Sequence, residues 1–156
     1  APPWQRPRPV SESNIRELRQ RAVRLLARRE HPRAELVRKL APHGTSDEIE
    51  TVLNELSRAG LQSDTRFAES FVRSQAGRLG VARLRQSLRS KGVSSADIET
   101  HVDDLPEEGV RARGVWEKKF TTPPADAREW AKQARFLQGR GFSVETIRKL
   151  LKDVAE

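Results

Sequence analysis

Apolar residues recur along this chain at the spacing of helix faces. Ile49, Val52, Leu53 and Leu56 stand at positions i, i+3, i+4 and i+7, the pattern that one buried face of an α-helix requires. No segment alternates apolar and polar residues between hairpin turns, so the pattern predicts no sheet. The fold class is therefore predicted to be all-α.

The same apolar pattern returns twice further along the chain. The later copies comprise Ile98, His101, Val102 and Leu105, then Ile147, Leu150, Leu151 and Val154. Ile49, Ile98 and Ile147 are spaced 49 residues apart (98 − 49 and 147 − 98). A fixed period of this length is typical of a repeat architecture, in which neighbouring units share a core.

Turn and cap signals place the helix boundaries within each repeat. A leucine precedes a glycine by four residues in every copy, and we expect each glycine to end its helix in the left-handed conformation. These glycines are Gly44, Gly92 and Gly141. Thr45, Ser94 and Ser143 then follow as N-caps, and Thr45 with Glu48 matches a capping box.

A further helix is predicted before each pair, over roughly 14–30, 65–76 and 107–120. The chain is thus predicted to hold about nine helices in three tandem three-helix repeats, which we expect to form an elongated, curved array. The repeats are assigned to 14–61, 62–105 and 106–156. A proline-rich flexible arm precedes them over 1–13, and its Trp4 either covers an apolar edge of the protein or docks on a partner.

Composition narrows the class of protein. The 156 residues include no cysteine, which excludes disulfides, thiolate metal sites and a cysteine nucleophile. Lys and Arg number 30 against 22 Asp and Glu, and 23 of the 30 are Arg. This net charge of +8, carried mainly by planar guanidinium groups, favours an anionic partner. No apolar run is long enough to span a bilayer, so no membrane association is expected.

Residues that could carry catalysis or bind a metal are sparse. His31, His43 and His101 lie far apart and form no pair with metal-ligand spacing, so packing and capping account for them. No phosphate-binding glycine loop and no Gly-x-Ser-x-Gly elbow occurs; the segment 77–80 is predicted to be a turn between helices. We therefore expect no catalytic residue, no metal, no cofactor and no enzymatic activity.

The strongest electrostatic feature is the stretch 70–96, which contains no acidic residue. On a helix from about Gly80 to Lys91, Arg85 and Arg89 share an outer strip, which Arg78 joins if the turn continues the helix; Arg83 lies to one side. The predicted basic strip comprises Arg73, Arg78, Arg83, Arg85, Arg89 and Lys91. It could meet phosphates or acidic side chains of a protein, or it could be only a solvated face.

A second basic face is predicted on the first helix. Arg21, Arg24 and Arg28 form it, and nearby glutamates dilute its charge. Both readings, a partner contact and a solvated surface, stay open, and the second is favoured more strongly here than for the basic strip.

The segments 66–73 (RFAESFVR) and 83–93 (RLRQSLRSKGV) closely resemble the RecX family of bacterial recombinase regulators. The resemblance extends to 34–40, 52–61, 118–120 and 135–143 and leaves out only the proline-rich arm. The sequence departs from the family pattern after Gly44 and at 62–64.

The resemblance implies a cytoplasmic protein that binds the RecA filament on single-stranded DNA, in its helical groove. It further implies inhibition of the ATPase, strand-exchange and coprotease activities of RecA. Separately, we expect the protein to be a monomer. The alternative left open is a helical-repeat protein that binds duplex DNA directly through a helix-turn-helix-like pair, independently of a recombinase. Weak direct binding to nucleic acid is compatible with both.

Overall fold

The computed structural model of the chain describes Pro2 and residues 10–156. That part holds nine α-helices, one 3-10 turn at Ala41–His43, and no strand, which confirms the predicted all-α class and the three triads of helices. The helices are α1 (Glu12–Arg28), α2 (Arg33–Leu40), α3 (Ser46–Arg58), α4 (Asp64–Gln75), α5 (Val81–Ser90), α6 (Ser95–Asp103), α7 (Glu108–Lys119), α8 (Ala127–Gly139) and α9 (Val144–Ala155). Trp4 and most of the predicted arm lie outside the described residues.

The chain forms two compact units, Ala1–Phe67 and Ala68–Glu156. In the first unit α1 packs on α3, and the apolar stripe predicted from Ile49 to Leu56 is buried against the inner face of α1. In the second unit α5 packs on α6, while α7 and α8 pack on α9. The core of the last triad comprises Ala112, Val115, Trp116, Leu137, Phe142, Ile147, Leu150 and Leu151.

The predicted N-caps are present. The hydroxyl groups of Thr45, Ser94 and Ser143 each accept a hydrogen bond from the backbone N–H of the third helical residue, and α3 begins with a complete capping box. These caps satisfy backbone donors that a helix start otherwise leaves unpaired, which fixes where each helix begins.

Glu48 does more than close the capping box of α3. Its carboxylate accepts hydrogen bonds from the backbone N–H of Thr45 (2.8 Å), the backbone N–H of Ser11 (3.0 Å) and the side-chain amide of Asn14 (3.0 Å). These donors, the two backbone groups first, lower the pKa of Glu48 to about 2. One buried carboxylate therefore ties the start of α1 to the start of α3.

The prediction of a left-handed glycine holds at two of the three turns. Gly92 and Gly141 have φ of 83° and 93°. At Gly44 the prediction is wrong: α2 runs into the 3-10 turn, and Gly44 is extended, with φ of −166°. Glycine stands there for a steric reason, because a Cβ would lie 2.6 Å from a methyl group of Leu18 on α1.

Candidate interaction surfaces

The predicted basic strip is centred on α5, where Arg85 is held by an acid. Its guanidinium group donates two hydrogen bonds to the carboxylate of Glu99 on α6, at 2.7 and 2.9 Å. The pair raises the pKa of Arg85 and lowers the pKa of Glu99. Arg85 thus stabilises the α5–α6 hairpin, and an external anion would have to displace Glu99 to reach it.

Other members of the basic strip also have partners within the protein. Arg73 forms an ion pair with Glu69, one turn earlier on α4, at 2.6 Å. The ammonium group of Lys91 lies 5.5 Å from the centre of the Phe71 ring, a cation–π contact. Arg83 donates a hydrogen bond to the carbonyl of Gly139 at 3.0 Å. Arg89 is exposed and forms no ion pair among the described residues.

Arg78 does not belong to the outer face of α5. The turn after α4 does not continue the helix: Gly80 is the extended N-cap of α5, with φ of −76° and ψ of 167°. Arg78 therefore lies in the turn, exposed, and faces a different set of neighbours. The structure thus separates Arg78 from Arg85 and Arg89.

The turn that carries Arg78 borders a concavity of about 310 Å³ between the α4–α5 turn and the last triad of helices, which we call the seam pocket. Four cations and two apolar side chains shape it, and no acidic residue lines it. The cations are Arg78, Lys118, Lys119 and Arg140, and the apolar side chains are Val115 and Phe136.

Phe136 holds two of the cations of the seam pocket. The ammonium group of Lys119 and the guanidinium carbon of Arg140 lie 5.5 and 5.2 Å from its ring centre. The rings of Phe120 and Phe136 pack at right angles, with 5.5 Å between their centres. An aromatic ring, rather than a carboxylate, orients these side chains, so their charge is not neutralised.

Backbone contacts fix the α4–α5 turn against the end of α8. The N–H of Gly80 donates a hydrogen bond to the carbonyl of Arg140 at 2.7 Å. A Cβ on Gly80 would lie 2.2 Å from the carbonyl oxygen of Gly141, so only glycine allows this approach. The two sides of the seam pocket are therefore joined directly through main-chain atoms.

Arg111 on α7 also holds the α4–α5 turn in place, through hydrogen bonds to its backbone. One nitrogen of its guanidinium group donates hydrogen bonds to the carbonyls of Ala76 (2.9 Å) and Leu79 (2.6 Å), which flank Arg78. Only 8% of Arg111 is exposed, and burial lowers its pKa. Arg111 thus acts on the seam pocket by positioning the Arg78 turn.

The second predicted basic face lies together on the first unit. Arg21, Arg24 and Arg28 line a separate concavity of about 340 Å³ with Lys39 and His43. Acids neutralise part of its charge: Arg21 lies 3.4 Å from Glu17, and Lys39 lies 3.2 Å from Glu35. The pKa of Glu35 is lowered to about 2, mainly by its hydrogen bonds with Arg29.

Sequence reasoning missed three of the four cations in the seam pocket. Lys118 and Lys119 close α7 beside an aromatic residue, and Arg140 follows Phe136 by one helical turn, which is a local signal for a cation–π pair. Their meeting with Arg78 has no local signal, because the turn lies about sixty residues from Arg140.

Two further kinds of feature are absent from Pro2 and residues 10–156. No group of three or more His, Cys, Asp or Glu side chains there could hold a metal ion. No helix in the same part of the chain has the length and apolar character needed to cross a membrane.

Comparison with known proteins identifies the three triads. Family models described as the first, second and third three-helix domains of RecX match residues 19–56, 63–101 and 107–151.

Similar proteins match over most of their length. A protein named Regulatory protein RecX from Leptothrix cholodnii is 50% identical over 137 residues, which cover 86% of this chain and 87% of that protein. Its namesake from Chromobacterium violaceum is 46% identical over 140 residues, covering 87% and 90%. The crystal structure of RecX from Lactobacillus salivarius shares the fold, with a TM-score of 0.81 at 21% identity over 93% of this chain and 99% of that one. The chain belongs to the RecX family of regulatory proteins.

Proposed function

We propose that this protein is a non-catalytic negative modulator of the RecA recombinase. It binds the filament that RecA forms on single-stranded DNA, in the helical groove, and lowers the ATPase, strand-exchange and coprotease activities. It acts as a monomer in the cytoplasm, in recombinational repair and the SOS response. The observation that carries this proposal is the match of RecX models to all three triads of helices.

Inhibition without catalysis follows from selective binding. A ligand that binds one conformation of the filament better than another shifts the population towards that conformation. A protein that contacts adjacent RecA protomers couples their states, so hydrolysis slows although nothing touches the nucleotide.

Arg78, Arg85 and Arg89, together with the rest of the basic strip, stay our prediction for contacts with acidic groups or phosphates along the groove. The ion pair between Arg85 and Glu99 allows a control that tests whether the position of the cation on α5 matters. Exchanging the two residues, as Arg85→Glu with Glu99→Arg, keeps the net charge and the pair but moves the cation to α6.

The first test is the ATPase rate of a preformed RecA filament on single-stranded DNA while this protein is titrated in. We expect strong inhibition at substoichiometric to stoichiometric amounts. No change in rate, with circular dichroism showing folded protein, would contradict the proposal and favour direct binding to duplex DNA.

The second test reverses three charges, as Arg78→Glu, Arg85→Glu and Arg89→Glu in one variant. We expect inhibition to be largely lost at moderate salt. The matched control reverses the charges of Arg113, Lys132 and Lys152, which are exposed residues outside the predicted sites. This control variant should still inhibit the RecA ATPase. Equal inhibition by the two triple variants would contradict the assignment of the contact residues.

A further inference from the structure

We propose that the seam pocket binds the phosphate backbone of single-stranded DNA directly, without RecA. This inference does not depend on the proposed function, because it concerns the free protein. Its basis is the convergence of four cations from three segments of the chain on one concavity that no acidic side chain lines.

The cations of the seam pocket are available to an external anion. Arg78, Lys118, Lys119 and Arg140 form no ion pair among the described residues, whereas Arg73 and Arg85 each have a glutamate. A strand that enters the seam pocket therefore displaces water and counterions but no carboxylate of the protein. Release of counterions is the main source of affinity for nucleic acids.

The number of cations favours several linked anionic charges. On this chain one carboxylate, that of Glu35, already lies within ion-pair distance of both Arg29 and Lys39. Four cations exceed what a single carboxylate pairs with. The backbone of a DNA strand supplies one fixed charge at each nucleotide, and the apolar surface of Val115 and Phe136 suits the sugar between phosphates.

The dimensions favour a single strand over a duplex. The seam pocket is a concavity of only about 310 Å³. This volume accommodates a short piece of one backbone, and a flexible strand can bend into it. A duplex is a stiff cylinder that would rest on the rim.

The seam pocket is organised before any ligand arrives. Phe136 orients Lys119 and Arg140, while Arg111 and the N–H of Gly80 fix the turn that carries Arg78. Prior ordering of the binding groups reduces the entropy that binding would otherwise cost.

The test is fluorescence anisotropy of a labelled oligothymidylate of about 20 nucleotides, longer than the site of one small domain. The pocket variant is Arg78→Gln with Lys118→Gln, which leaves the cation–π contacts of Phe136 intact. The matched control is Arg113→Gln with Lys132→Gln, which removes the same charge from exposed residues that lie near glutamates about one turn away.

We expect the pocket variant to weaken binding roughly tenfold or more at about 50 mM salt, because two phosphate contacts are lost. The slope of log affinity against log salt should become shallower by about 1.4, while the control changes little. Equal affinities for the two double variants, both folded by circular dichroism, would overturn the proposal.

Two further probes, duplex DNA and polyglutamate, test whether single-stranded DNA is the ligand. A duplex of the same length that binds as tightly, with the same loss in the pocket variant, would overturn the assignment to a single strand. Polyglutamate that displaces the labelled strand as well as unlabelled oligothymidylate, at equal charge concentration, would point to an acidic protein segment instead. Since RecA is absent from this assay, its outcome and that of the ATPase titration are independent.

Discussion

Two basic regions of the second unit differ in what holds their cations. In the basic strip, Arg85 and Arg73 are neutralised by Glu99 and Glu69. In the seam pocket, an aromatic ring and the backbone position the cations, and no acid lines the site. A count of charges along the sequence treats these regions alike. The structure separates cations that a glutamate of the protein already pairs with, such as Arg73 and Arg85, from cations without such a partner in the described part of the chain, such as Arg78 and Arg140.

The largest effect is expected from a substitution that blocks the close contact between the backbones of Gly80 and Gly141, which joins the two sides of the seam pocket. In Gly80→Ala the new Cβ would meet the backbone of Gly141, which cannot move aside as a flexible side chain would. We expect the free energy of unfolding to fall by about 3 kcal/mol, the upper end for overpacking, together with a loss of binding to single-stranded DNA. Urea denaturation measures the first effect and anisotropy the second.

Gly77→Ala is the matched control, because nothing lies within 4 Å of a Cβ at Gly77. It should leave the free energy of unfolding close to that of the wild type. Equal destabilisation by the two alanines would show that the contact between Gly80 and Gly141 does not hold the seam together.

A somewhat smaller effect is expected from Arg111→Met, which removes the two hydrogen bonds to the carbonyls that flank Arg78. The loss should lower the free energy of unfolding by about 2 kcal/mol, since the carbonyls would lack charged donors. Strand affinity should also fall, although Arg111 does not line the seam pocket. Arg113→Met, two residues later and exposed, removes the same charge and should change neither quantity appreciably.

The smallest effect concerns the ionisation of Glu99. Arg85 holds the pKa of Glu99 below the ordinary value of 4.5, so the pair stabilises the fold above that pH. This contribution is lost as the pH falls through the lowered pKa, which releases Arg85. A carboxyl NMR titration should show the low pKa in the wild type and a return towards 4.5 in Arg85→Gln. An unchanged pKa in that variant would show that the pair does not neutralise Arg85.

Features that arise within a few residues could be predicted from the sequence. The capping hydroxyl groups and the helix bounds are local, and the structure confirms them to within about two residues, the usual scatter of helix ends. The conformation of Gly44 could not be predicted in this way. The steric reason for a glycine at this position is also non-local, because a Cβ there would meet Leu18, which lies on another helix.

The difference between local features and contacts of distant residues also explains which parts of the candidate site could be predicted. The six residues of the basic strip lie in one stretch of sequence without acids, so composition could group them, but only the α5–α6 packing shows that Glu99 pairs with Arg85. The seam pocket joins Arg78 to Arg140 through the close approach of two glycines. No local pattern encodes that meeting, so the structure was needed to find it.

The most direct test of whether DNA binds at the seam pocket or at the basic strip is a titration of ¹⁵N-labelled protein with short oligothymidylate. Amide and arginine side-chain NMR signals report which residues are affected. We predict that the largest shifts occur at the turn 77–80, at 136–141 and at the Nε–H groups of Arg78 and Arg140, while the Nε–H of Arg85 stays in place. Shifts concentrated on 83–91, with the seam pocket unchanged, would contradict the account and return the binding surface to the basic strip.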